Sequence, residues 1–182
     1  MAAQRPGLTQ ALGRMKALLL PSLAALAVQP VVYLLLTLVP QLLAGRTGPL
    51  YGLSAAIAFV LLFAAAHIFF LGIPAFLFLR NRGLATPLRM AGAGFLCGLP
   101  LVAVLGWPSR YGAGVSGGSN WHGQYREMLV NGVPTLWAWL SYAEGLILFG
   151  LQGAAGGLTF YAVWRKLRPN NSSKPTPLRG AA

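Results

Sequence analysis

Apolar residues fill four long stretches of this chain and thin out between them. The stretches run from about Ala17 to Leu43, Tyr51 to Leu79, Pro87 to Leu105 and Pro134 to Trp164, with no Lys or Arg near any centre. Crossing a hydrocarbon layer takes about 20 apolar residues in helical form. A helix also satisfies its own backbone in lipid, and the strict alternation of a membrane barrel strand is absent. The pattern therefore predicts an all-α fold: an integral membrane bundle of four transmembrane helices.

Local signals refine the ends. Thr86-Pro87 reads as an N-cap followed by a first-turn proline, opening the third helix. The second stretch would be about 43 Å long as a straight helix, so it must tilt, kink or protrude, and Gly72 and Pro74 mark the place to kink. Ala25-Leu26-Ala27 has the small-x-small look of a signal-peptidase site, but the apolar run continues through Val31–Leu36, which predicts an uncleaved first span. An amphipathic stretch, Leu8–Leu19, leads into it. Residues 1–16 form an N-terminal segment, 17–164 the helical domain, and 165–182 a basic tail whose Pro, Ser, Asn and Lys content predicts disorder. The Asn-x-Ser matches at Asn170 and Asn171 are chance on a cytoplasmic tail.

One sizeable connection remains, Trp107–Val133. Its first half is Gly- and Ser-rich and flexible by composition. Its second half is expected to be a short interfacial helix capped by Ser119 or Asn120 and closed by Asn131-Gly132. Trp121, Tyr125, Met128 and Leu129 would share its apolar face, with His122, Arg126 and Glu127 on the wet side. The functional alternative for this segment is a partner-binding or lid element over Glu144.

Composition strengthens the membrane reading. Of 182 residues, 56% are hydrophobic and 9% charged, with a mean hydropathy of +0.63. Soluble domains carry about a quarter of their residues as charges, so a soluble fold would expose a largely apolar exterior. The charges are 14 Lys and Arg against 2 acids, a net +12. Eleven of these cations (Arg5, Arg14, Lys16, Arg80, Arg82, Arg89, Arg165, Lys166, Arg168, Lys174 and Arg179) fall on one side of the four spans; Arg46, Arg110 and Arg126 fall on the other. The positive-inside rule then predicts both termini in the cytoplasm. The cations flank spans and form no continuous patch, so attraction to anionic lipid at the cytoplasmic face is expected and nucleic-acid binding is not.

Candidate chemistry is sparse. The chain has no Asp and only Glu127 and Glu144, so no paired carboxylate or acidic metal cluster can be assembled. It carries no Walker loop, zinc spacing or dinucleotide fingerprint, so neither catalysis nor a cofactor or metal is expected. Cys97 is the sole cysteine and reads as a packed small residue. Gly114-Val-Ser116-Gly117 matches the Gly-x-Ser-Gly string of rhomboid proteases, but it lies in the loop, and four spans are too few for that fold.

Polar residues within spans are costly and mark sites to weigh. Glu144 lies in the outer half of the fourth span, either as a protonatable group at a cavity or subunit contact, or as a carboxyl bonded to Tyr142, Gln41 or Arg110. His67 and Gln152 each lie 13 residues before a span-ending Arg (Arg80 and Arg165), and Gln29 lies 13 after Lys16. All three fall at one depth, near mid-bilayer. An interhelical hydrogen-bonded layer, worth about 0.6–2 kcal/mol per bond, is the favoured reading over a polar-ligand or proton site around His67. Glu144 and His67 differ in depth by about 12 Å, too far to pair. One intramembrane His cannot supply both axial ligands of a b-type haem unless Met90 or a second subunit provides the other. Gly94-x-x-x-Gly98 and Gly153-x-x-x-Gly157 allow close helix approach, within one bundle rather than across a homodimer.

The segment His67-x-x-x-x-Gly72-x-Pro74-x-x-x-x-Leu79-Arg80, followed by a Gly- and Leu-rich third span, resembles small bacterial inner-membrane proteins of the domain-of-unknown-function kind. The resemblance covers roughly residues 60–105. It implies four spans and a bacterial cytoplasmic membrane, and brings no activity with it. The functional expectation is a multi-pass, non-enzymatic accessory or interaction component, with a membrane-protein partner or a homo-oligomer. The alternative is a small oligomeric transporter or channel-like protein using Glu144 and His67.

Overall fold

A computed structural model describes residues 8–45 and 51–168, with side chains of the first helix described from Leu18 onward. Residues 1–7, 46–50 and 169–182 lie outside the described residues, as do the side chains of Arg14 and Lys16; residues 165–167, assigned to the tail, continue the last helix instead. Four helices are long and apolar enough to cross a membrane: Leu18–Leu43, Leu53–Asn81, Pro87–Leu105 and Leu136–Leu167. The first begins as α1 (Leu8–Tyr33) and continues through a π-helical turn (Leu34–Leu38) into α2 (Val39–Leu43). The second is α3 (Leu53–His67), a π-helical turn (Ile68–Gly72) and α4 (Ile73–Asn81). The third is α5 (Pro87–Leu105) and the fourth α6 (Leu136–Leu167).

Both π turns immediately precede a segment whose second residue is proline, Pro40 or Pro74. Proline has no N–H, and its ring crowds the carbonyl four residues back. Widening the preceding turn absorbs this: the Val39 N–H reaches Leu34 O and the Ile73 N–H reaches Ile68 O, each spanning five residues. The irregularity in the second span thus falls where Gly72 and Pro74 place it. Thr86 caps α5, its Oγ1 accepting from the Arg89 N–H at 3.4 Å.

Helix α6 is the centre of the packing. α5 lies antiparallel along it, and α1 lies along another side through Pro21, Ala25 and Gln29, a buried stripe at four-residue spacing. The second span divides its loyalties: α3 packs on α1, whereas α4 and its preceding π turn pack on α5. The second and third spans therefore meet at the end carrying Arg80, Arg82, Arg165 and Lys166 (the basic end) and diverge toward the other. Phe76 closes the basic end, fully buried, with ring centroids 4.8 Å from Phe160 and 5.0 Å from Trp164. Ala25 and Met90 complete this cluster. Outward-facing Leu62, Phe69, Phe70, Leu96 and Val104 are exposed. Rods clad this way need an apolar medium around them.

The fold is not all-α. Where a short helix is expected after Ser119, the chain forms a three-stranded antiparallel sheet in the order β1 (Gly117–Trp121), β2 (Gln124–Val130), β3 (Val133–Pro134). Tyr125, assigned to the apolar face of that helix, is 67% exposed. Two two-residue turns decide the outcome. His122-Gly123 has φ of 48° and 86°, and Asn131-Gly132 has φ of 47° and 77°. Positive φ at both central residues is what a type I′ hairpin turn requires, and its twist matches that of paired strands. Asn131-Gly132 is thus a hairpin turn and not a helix stop. Gly132 also leaves no room for a side chain, because a Cβ would collide with the Tyr111 and Gly112 carbonyl oxygens. This end of the molecule is the hairpin end.

Candidate functional site

Glu144 lies eight residues into α6, about 12 Å along its axis. There the hairpin folds back onto the helix. Trp121, the last residue of β1, donates its indole N–H to Glu144 Oε2 at 2.6 Å. His122 Nε2 lies 3.1 Å from Glu144 Oε1. The turn geometry makes this possible: the left-handed backbone at His122 brings two consecutive side chains to one carboxylate. Aromatic packing holds the arrangement, with Trp121 at 5.5 Å from Trp137 and the Arg126 guanidinium 4.1 Å above the Trp137 ring. Trp107, Trp139 and Tyr142 form a second edge-to-face cluster at this end, at 5.3–6.2 Å.

The partners expected for Glu144, namely Tyr142, Gln41 and Arg110, make no hydrogen bond or ion pair with it among the described residues; Trp121 and His122 take their place. Tyr142 donates instead to Ala103 O at 3.3 Å, and Gln41 to Thr37 O on its own helix at 3.2 Å. His122 and Arg126, expected on a wet helical face, engage Glu144 and Trp137. Trp121, the main partner, was legible only through the His122-Gly123 pair that makes the hairpin.

A second polar centre lies mid-helix. His67, Gln29 and Gln152 line one cleft where the second and third spans diverge over α1 and α6, with about 120 Å³ of free space. An adjoining cavity of about 200 Å³ continues toward the hairpin end and shares Phe59, Val60, Phe149 and Gln152 with it. Glu144 lines neither. The three residues placed at one depth are thus brought together, and Glu144 is not among them.

Their bonding differs from a full interhelical layer. Gln29, 7% exposed, donates to Ala25 O at 3.2 Å and to Gln152 O at 3.4 Å. His67 Nδ1 lies 2.7 Å from Phe63 O on its own helix. A carbonyl can only accept, so Nδ1 carries a proton, and in the tautomer that matches this bond Nε2 is the acceptor. Gln152 Nε2 is buried with no partner among the described residues. Met90 and Cys97 also line the cleft. Its free space matches about one aromatic ring, well short of the four pyrroles of a haem.

The glycines place the two packed helices. A Cβ at Gly94 would strike Gly153 O, one at Gly98 would strike Phe149 O, and one at Gly157 would strike Met90 O. Gly94, Gly98, Gly153 and Gly157 thus mate α5 with α6 inside one chain. Ser116, of the Gly-x-Ser-Gly string, accepts the Asn131 N–H at 3.0 Å and serves the loop. Among the described residues, no three or more His, Cys, Asp or Glu side chains group as a metal site. No protein-family model, curated protein or solved structure matches the chain.

Proposed function

We propose that this chain is a multi-pass protein of the bacterial cytoplasmic membrane that acts without enzymatic activity, as an interaction component presenting its hairpin to a membrane-protein partner. Both termini lie in the cytoplasm on this reading, with the basic end toward anionic lipid. The observation that supports it is the Trp121–Glu144 contact. An acid within an apolar helix is costly, and here it anchors an extramembrane hairpin. With Trp121 and Arg126 turned onto α6, the hairpin presents Tyr125 outward, 67% exposed, a residue type that anchors protein interfaces. Its β1 strand pairs with β2 on one side only, which leaves an edge for strand addition.

The transport alternative draws on His67 and Gln152 facing internal space, and it would need the carboxylate freed from the hairpin. Proton flux into vesicles reconstituted with the purified full chain separates the two. The interaction reading expects no flux above protein-free vesicles, and a native-membrane complex heavier than the purified protein. Flux that Glu144→Gln or His67→Ala abolishes would establish transport instead. Sidedness has its own test. In a Cys97→Ala background, Ser119→Cys should react with an impermeant maleimide added outside intact cells and Arg82→Cys should not. The reverse labelling would invert the topology.

A further inference from the structure

We infer that the cleft between the second and third spans is a binding site for a single-ring isoprenoid quinone, its ring between His67 and Gln152 and its tail in the adjoining cavity. The inference goes beyond the hairpin's role and rests only on the four helices lying in lipid. Three features select the ligand. The first is polar and comes as a complementary pair. Gln152 Nε2 is a buried donor without an acceptor, and the His67 Nδ1–H is committed to Phe63 O, which leaves Nε2 as an acceptor. A quinone carbonyl accepts from the first, and a quinol hydroxyl donates to the second. A bare acyl chain satisfies neither, and a buried amide left unpaired is costly.

The second feature is shape. About 120 Å³ of free space is close to that of an engineered apolar cavity that takes benzene. Phe63, Phe149 and Phe160 line it, as suits stacking on a flat ring. The third is continuity. The adjoining space of about 200 Å³, lined by Leu36, Ala56, Val60 and Leu148 among others, is apolar and suits an isoprenoid tail. Both spaces lie at span depth, so a ligand arriving through the bilayer enters where the second and third spans diverge.

The test is equilibrium titration of decyl-ubiquinone, and of decyl-ubiquinol kept reduced, into the purified full chain in nanodiscs, with farnesol and dioleoylglycerol as competitors. Saturable binding in the micromolar range is expected for both forms, weakened at least tenfold by Gln152→Leu; His67→Phe should weaken the quinol at least tenfold and the quinone little, and Glu144→Gln should change neither. Farnesol and dioleoylglycerol should not displace the quinone at equal concentration. A second readout needs no variant: Cys97 lines the cleft, so bound quinone should slow its alkylation by a membrane-permeant maleimide several-fold. Absence of saturable binding, unchanged Cys97 reactivity, or equal affinity in a folded Gln152→Leu protein would overturn the inference. So would displacement by either chain-bearing competitor, which would make the cleft a seat for lipid chains.

Discussion

Gly153→Ala is expected to destabilise the bundle by about 2–3 kcal/mol and to lower the melting temperature of the detergent-purified protein by roughly 5–10 °C. Two effects oppose each other. Alanine is the better helix former by about 1 kcal/mol, which alone would stabilise α6. Against that, a Cβ at Gly153 would land on the Gly94 carbonyl oxygen. That oxygen is backbone and cannot rotate aside, so α5 must move away. The movement also loosens the contacts of Gly98 and Gly157, which lie along the same seam. Helices in lipid associate through close packing of this kind, with no hydrophobic drive between them to compensate. Gly92→Ala is the control on α5, because a Cβ there meets nothing within 4 Å. It should melt at or slightly above the wild-type temperature. Equal melting of Gly153→Ala and wild type would show that the α5–α6 seam is not this tight.

Trp121→Phe is expected to release the hairpin while leaving the helices intact. The substitution keeps an aromatic ring against Trp137 and removes the N–H that reaches Glu144. A hydrogen bond to a charged group contributes about 1.5–3 kcal/mol, so amide exchange across β2 should accelerate tenfold or more, with α5 and α6 unchanged. The His122 contact cannot substitute for it. Its side chain is 65% exposed, and an ion pair in water is worth at most about 1 kcal/mol. His122→Ala should therefore change exchange only a few-fold. Glu144→Gln should fall between the two, since a glutamine oxygen still accepts from the indole. Identical exchange in Trp121→Phe and wild type would mean that aromatic packing alone holds the hairpin.

The four spans were legible because length and hydropathy are properties of a segment, and the boundaries at Leu43, Pro87 and Leu105 coincide with those of the folded chain. The disturbance near Pro74 was legible for a similar reason, since a missing N–H is a local defect. The equivalent π turn before Pro40 carries the same signal, but it sits inside a run that otherwise reads as uninterrupted helix. The hairpin was misread because Trp121, Tyr125, Met128 and Leu129 are spaced as a helical face would be. Asn131-Gly132 fits both a helix stop and a hairpin turn. The His122-Gly123 pair nine residues earlier, with Gln124–Val130 between the two turns, is the signal that separates these readings.

Counting from the basic anchors placed Gln29, His67 and Gln152 at one depth, and the folded chain puts all three on one cleft. Depth follows from sequence because helical rise is constant, at about 1.5 Å per residue. Rotation about each helix axis does not. It depends on which faces mate, and here the glycine seam of α5 and α6 and the Pro21–Ala25–Gln29 stripe of α1 set it. Tertiary packing alone therefore decided that His67 turns back to its own backbone, that Gln152 keeps an unmet donor, and that Glu144 is held by an indole 23 residues away. The sequence by itself determined how many helices there are and how deep each polar group lies. Which of those groups meet was decided by azimuth and loop conformation, because both arise from contacts between segments that local composition does not encode.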